Sequence, residues 1–393
     1  MSAPTDHAGC NAERSRGTGA CASRLWLAVA LVMSVASATS RAGVGDPLNT
    51  STYEYQMKIT FSGYTGTSTL TNFPALVVLN TGITGFDYGQ LLSGGADLRF
   101  ADATGFELAY EIDTWNATGN SYIWVRVPQL AAATDYIRAY WGYAGAAAPG
   151  YASTTWSSWA AVWHLREAAA ADSSSPAYTG VPGSVSTVGA TGLVGTAQSF
   201  GGSAWINVSS VAPAVAGNTF TFSAAFRTTA VGDPSPVSVA SASSSDKTAG
   251  RVWWRVGPSD VGSGEINVVD GTSTVAIDPD IAVNDDVWHT LDYVRNGSSG
   301  ALYLDGVSVG THTPTQTLLS TDLWSIGQRY ATTGFKNPAN FFVGLIDEVR
   351  VIATARNADW VKAADDTMRH NGAFTTYGAA QTAPKAGSAF FGW

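Results

Sequence analysis

Arg251-Val-Trp-Trp-Arg-Val256 sets an indole between two guanidiniums. Successive side chains of a strand point to opposite faces, so Val252, Trp254 and Val256 share one face and Arg251, Trp253 and Arg255 the other. The first face reads as core. The second reads as a sugar platform, because sugars are held by aromatic rings stacked on their C–H surfaces and by planar polar groups. The competing reading is an indole covered by a neighbouring strand, with the arginines stacked on it. Glu111 and Asp113 lie two apart, a spacing that aims two carboxylates to one side of a strand, as glycoside chemistry needs. No further acid follows in step, and both read as surface or turn residues. Two acidic clusters, Asp278-Pro-Asp280 and Asn284-Asp-Asp286, read as a solvated loop before Trp288. No G-x-S-x-G elbow and no EF-hand string occurs.

The elements that position these groups are strands. Of 393 residues 42 are glycine, only 13% are charged and 14 are tryptophan. Short apolar runs with Gly, Pro, Ser and Thr between them predict an all-β chain, and the length predicts two domains. The formal charge of −9 and the absence of any basic run argue against nucleic acid. Trp288 to Gly310 predicts three strands joined by turns at Asn296-Gly297 and Asp305-Gly306, residue pairs suited to the positive φ of tight hairpins. Asp359 to Met368 is the one good helical stretch.

The first 42 residues read as a signal peptide. Arg14, Arg16 and Arg24 precede the apolar run from Leu25 to Ala38, and small residues offer cleavage after Ala38 or Ala42. The run is short for a transmembrane span. Both cysteines, Cys10 and Cys21, precede it, so the mature chain is expected to have no disulfide, and with no further apolar run no other membrane-spanning segment is expected. The protein is expected to be secreted, periplasmic or on the cell surface. Residues 43–150 form a first domain ending in the linker Tyr143 to Gly150. Residues 151–378 form a second, and 379–393 read as a flexible tail.

Two resemblances follow from motifs. Asn72-Phe-Pro, Gly95-Ala-Asp-Leu-Arg-Phe-Ala-Asp102, Tyr110-Glu-Ile-Asp113 with Trp115-Asn116, Ile123-Trp-Val-Arg-Val-Pro128 and Ala139-Tyr-Trp-Gly142 resemble the domain of unknown function 2341. That resemblance implies an extracytoplasmic β module. Val162-Trp-His-Leu-Arg-Glu167, the Asp172-Ser-Ser-Ser loop, Phe220 to Arg227, Leu302-Tyr-Leu-Asp-Gly306 and Phe342-Val-Gly-Leu-Ile-Asp-Glu-Val-Arg350 resemble laminin-G-like domains of the concanavalin A-like lectin/glucanase superfamily. The implied architecture is a small β-sandwich followed by a jelly roll. His164 and His289 sit in its structural motifs and read as hydrogen-bonded strand residues. Glycanases of this superfamily carry E-x-D-x-(x)-E on one strand, which Glu111-Ile-Asp113 does not complete. The resemblance implies one structural Ca²⁺, with Asp347 and Asp172 at the matching positions.

The expected function is non-catalytic recognition of an extracellular glycan or glycoprotein. Two other classes stay open. One is a glycoside hydrolase or lyase with atypical residues. The other is a structural or adhesion component of an envelope assembly, since the first family sometimes accompanies proton-channel subunits of the ExbB/TolQ type. Ligand identity and oligomeric state are left open.

Overall fold

The computed structural model describes residues 44–184, 186–232, 234–240, 252–256, 264–270, 275–330 and 338–385. The expected signal peptide, Arg251 and the last eight residues of the tail lie outside them. The first domain holds β1 (Tyr55–Thr60), β2 (Leu70–Leu79), β3 (Arg99–Ala101), β4 (Tyr110–Thr114), β5 (Ser121–Leu130) and β6 (Tyr136–Trp141). One sheet contains β1, β6 and β3 and the other runs β2-β5-β4, all antiparallel. Alternation buries Phe73, Ala75, Val77 and Leu79 of β2 and Ile123, Val125 and Val127 of β5 in a cluster with Met57, Ile59, Phe100, Ile137 and Trp141.

After a short helix, α1 (Ala152–Thr155), the second domain begins. Its strands are β7 (Ala161–Trp163), β8 (Val181–Ser184), β9 (Thr187–Thr191), β10 (Thr196–Gly201), β11 (Trp205–Asn207), β12 (Thr219–Arg227), β13 (Val237–Ala240), β14 (Val252–Val256), β15 (Ile266–Asp270), β16 (Val275–Ile277), β17 (His289–Asn296), β18 (Ser299–Leu304), β19 (Val307–His312), β20 (Leu323–Ile326), β21 (Arg329–Tyr330), β22 (Pro338–Ala339) and β23 (Val343–Ile352). They form an eight-stranded sheet, β19-β18-β17-β12-β23-β10-β9 with β7 beside β23, a seven-stranded sheet, β16-β15-β14-β13-β20-β11-β8, and a separate pair, β21-β22. The fold is all-β, a small sandwich followed by a jelly roll. Phe222 of the first sheet meets Trp254 and Trp324 of the second at ring-centroid distances of 5.0 and 4.9 Å. The hairpin from Leu302 to Val309 turns at Asp305 and Gly306 with φ of 54° and 76°, the pair of positive values that a type I′ turn demands.

The alternation of β14 holds, but its second face is not open. Val252, Trp254 and Val256 lie in the core. Trp253 is only 3% exposed and Arg255 6%. β14 is an interior strand between β13 and β15, where neighbouring side chains close over it. The Arg329 guanidinium lies 5.0 Å from the Trp253 ring, and Arg255 Nε donates to Asn267 Oδ1 at 2.8 Å. The exposed platform expected from Trp253 and Arg255 is therefore replaced by the covered indole.

The C-terminal segment corrects a second expectation. Helix α2 (Ala358–Arg369), α3 (Asn371–Phe374), β24 (Thr376–Tyr377) and β25 (Gln381–Thr382) return to the first domain. β24 and β25 both pair with β1, and Ala383 is buried, so residues 381–383 are part of the sandwich rather than a mobile tail. The strands fill the free edge of β1, and the rest of the segment covers β2, an edge strand of its sheet. Pro74 has no N–H to offer outward, which an edge tolerates. Two residues on, Leu76 N donates to Thr367 Oγ1 at 2.9 Å, and Val78 N donates to the Tyr377 hydroxyl at 2.7 Å. Asn371 Nδ2 donates to Leu76 O at 2.8 Å. The C-terminal segment thus satisfies an edge that would otherwise invite foreign strands. Trp360 anchors it, 5.2 Å from Phe73 and under the Arg356 guanidinium at 3.6 Å. Trp360→Ala should lower unfolding free energy by about 3–5 kcal/mol in urea titrations. It should also raise amide exchange along β2. A variant with wild-type exchange at Leu76 and Val78 would show that the helix does not hold this edge.

Candidate functional site

The sheet β2-β5-β4 shows its other face to the jelly roll, and charge gathers there. Glu111 and Asp113 of β4 are 6% and 8% exposed, not the surface or turn residues their spacing suggested. Opposite them stand His164 and Arg166, which follow β7, and Asp347, Glu348 and Arg350 of β23. His164 Nδ1 donates to Glu348 at 2.9 Å and its Nε2 donates to Glu111 at 3.2 Å. Arg166 donates to Asp113 Oδ1 at 3.0 Å and to Glu111 Oε1 at 3.2 Å. Arg350 donates twice to Glu348 Oε2, at 3.0 and 2.6 Å. Trp156 Nε1 donates to Glu111 at 2.6 Å. The Arg350 guanidinium also lies 4.0 Å from the Trp124 ring, an indole of β5 on the same face.

A β-bulge makes this possible. Simple alternation puts Asp347 and Glu348 on opposite faces. Ser223 pairs with Arg350 but Ala225 with Asp347, so β23 carries an extra residue there, and Glu348 has φ of 51°. Both carboxyls then enter one cluster. Glu348 binds His164, while Asp347 Oδ2 accepts from Val194 N at 2.9 Å.

The titration states follow from this packing. Burial disfavours the His164 imidazolium, but Glu348 and Glu111 outweigh it and raise its pKa well above 6.5. Burial would raise Glu111, but His164, Arg166 and the Trp156 N–H hold it down at about 2. Asp347 is pushed well above the usual carboxylate range by burial and by Glu348. The buried carboxyls of Glu111, Asp113, Asp347 and Glu348 gather around His164, Arg166 and Arg350, and Glu167 Oε2 also lies 3.2 Å from Arg166 Nε.

The expected calcium residues are placed as follows. Asp172 Oδ1 accepts from Val162 N at 2.9 Å and Ser174 N at 2.8 Å. Its Oδ2 accepts from Ser174 Oγ at 2.9 Å and Tyr178 N at 2.7 Å. It works as the clasp of its loop and has no oxygen left over. Asp347 keeps one oxygen, Oδ1, without a hydrogen-bond partner among the described residues. Asp113, Glu348 and His164 bring three potential ligand atoms together, but both His164 nitrogens point protons at carboxylates. Ca²⁺ needs six to eight oxygens. These residues do not fit it, since the positive charge they require is built into the chain as His164, Arg166 and Arg350.

Beside the cluster lies a cleft of about 300 Å³, walled by Tyr110, Ile112, Tyr151 and Arg166, with Ala148-Pro-Gly150 along its rim. The Tyr110 and Tyr151 rings meet edge-on at 6.0 Å, and the Tyr151 hydroxyl donates to Glu107 at 3.1 Å. Arg166 is 29% exposed here. Sequence reasoning found the linker but missed the cleft, because its walls come from β4, α1 and the segment after β7. A titratable acid elsewhere is sealed. Burial pushes Asp292 up to about 7, but it lies beneath α2 in a cavity of about 20 Å³, room for one water.

His164 sets a pH dependence. Its folded pKa is raised, so the stability it contributes is complete below 6.5 and is lost as pH rises through the folded value. Glu111 runs the other way, its contribution present above 4.5 and lost as pH falls toward 2. His164→Ala should cost about 3–5 kcal/mol at mildly acidic pH, because two buried carboxylates lose their partner. It should also flatten the alkaline loss of stability in urea titrations. An alkaline slope equal to wild type would contradict the charged imidazole.

Comparison with known proteins agrees with the modules. Residues 200–362 match the concanavalin A-like lectin/glucanases superfamily, and residues 94–159 match the domain of unknown function DUF2341. No curated protein matches. Among solved structures, domain 4 of AbnA, an extracellular arabinanase of Geobacillus stearothermophilus seen with arabinotriose, is similar at 17% identity over 53% of this chain and 98% of that one, with a TM-score of 0.41. A heptameric SAP-like pentraxin from Limulus polyphemus is similar at 14% identity over 44% and 85%, with a TM-score of 0.31. NanB sialidase from Streptococcus pneumoniae is similar at 17% identity over 42% and 27%, with a TM-score of 0.35. The chain thus joins a DUF2341 module to a laminin-G-like jelly roll of the concanavalin A-like lectin/glucanase superfamily.

Proposed function

We propose that the protein binds an extracellular glycan or glycoprotein without catalysis, in the cleft between the DUF2341 module and the linker. The observation that supports this most is the cleft itself, with the part-exposed Tyr151 ring, a partly exposed guanidinium and volume for a sugar unit or two. The carboxylates beside the cleft are unsuited to catalysis. A general acid or base needs an open path to substrate and a pKa near the working pH. Glu111 is buried, hydrogen-bonded on both oxygens and held at about 2. No helix among the described residues is long and apolar enough to cross a membrane. Secretion to the periplasm, cell surface or medium is part of the same proposal.

Gly150 gives a clean test, since a Cβ there meets nothing within 4 Å and its φ is not in the left-handed region. Gly150→Trp should fold normally, fill the cleft and abolish binding on a glycan array that the wild-type chain lights. Tyr151→Ala should weaken the same signals at least about tenfold, the loss of one stacking ring. Wild-type binding by a folded Gly150→Trp would move the ligand away from this cleft.

A further inference from the structure

The last turn of α2 carries a second cluster, apart from the junction. Asp365, Asp366 and His370 bring one ligand atom each within 4.8 Å of one another. Asp366 and His370 are four apart, which puts them on one helix face. His370 Nδ1 lies 3.3 Å from Asp366 Oδ1 and 3.7 Å from Asp365 Oδ2. A cluster of acids alone means little on a surface. Here an independent feature points at a ligand. Asp365 is 1% exposed, and its Oδ2 has no hydrogen-bond partner among the described residues. The carboxyl is aimed from below, since Thr290 Oγ1 of β17 donates to its Oδ1 at 2.6 Å. The bare oxygen therefore faces the imidazole, and His370 is 51% exposed, so the site opens to solvent.

We propose that Asp365, Asp366 and His370 hold a divalent transition-metal ion of the zinc class, with water completing its shell. One imidazole nitrogen with two carboxylate oxygens suits Zn²⁺, Ni²⁺ or Cu²⁺, whereas Ca²⁺ takes oxygen alone. Thr290 acts as a positioning residue that orients a ligand through its second oxygen. Two cations compete for the same carboxylates. Lys362 Nζ contacts Asp366 Oδ1, and Arg369 Nη1 lies 3.3 Å from Asp365 Oδ1. The ion would fasten the end of α2, the helix that touches both domains, to the jelly roll.

The test uses the full chain with Cys10 and Cys21 changed to serine, so that thiols outside the site bind no ion. After chelator treatment, isothermal titration with Zn²⁺ should show one site, and Zn²⁺ but not Ca²⁺ should raise the melting temperature. His370→Ala, at an exposed position that leaves the fold intact, should abolish both effects. Thr290→Val should weaken Zn²⁺ binding about tenfold. Lys362→Gln should tighten it, by removing a competing positive charge. No Zn²⁺ binding by the wild type, or equal binding by a folded His370→Ala, overturns the proposal. Unchanged binding in Lys362→Gln together with Thr290→Val does so as well, because the ion would then sit elsewhere.

Discussion

One buried imidazolium ties the two domains together. His164 donates one N–H to Glu111 of the DUF2341 module and the other to Glu348 of the jelly roll. Each carboxylate would be costly to bury alone, and so would the imidazolium. Packed together with Asp113, Arg166 and Arg350, they form a set in which three buried carboxylates face three cations. Separating the domains would leave this set exposed and its geometry undone. The indoles of Trp124 and Trp156 surround it, which lowers the local dielectric and strengthens each ion pair.

Apolar packing extends the same junction. Val162, Val194 and Ile352 of the second domain belong to one buried cluster with the core of the first. The C-terminal segment closes the arrangement, its strands pairing with β1 and side chains of Thr367, Asn371 and Tyr377 bonding the open edge of β2. Each module keeps its own core, and the two are joined by this apolar contact and by one polar lock. A rigid junction of this kind is a suitable floor for a binding cleft, because its walls are held by groups already satisfied elsewhere. Tyr110 and Arg166 are oriented by hydrogen bonds that do not depend on a ligand.

Cation choice divides the molecule. At the junction positive charge comes from the chain, leaving no oxygen shell for calcium. At the end of α2 the balance is looser. The carboxylates there meet Lys362 and Arg369 at a partly exposed surface, and one buried oxygen has no hydrogen bond among the described residues. The same residue types serve as lock in one place and as candidate ligands in the other. Burial and the number of donors around each oxygen make the difference.

The sequence by itself determined the strand-rich class, the two modules, the Asp305-Gly306 turn and the inward face of β14. These are local matters, set by alternation, by turn chemistry and by motifs read along the chain. It also marked Asp347 and Glu348 as notable, within a motif. What they do was decided by tertiary structure, because a bulge at Glu348 overrides alternation and brings both into the junction. Glu111 and Asp113 look like surface acids until a second domain is laid on them. Trp253 looks outward until its sheet neighbours and Arg329 cover it. The strand after Gly378 reads as tail composition, and only the unpaired edge of β1 gives it a place. In each case the deciding partner lies tens to hundreds of residues away, and no periodicity along the chain can report which face a distant element will cover.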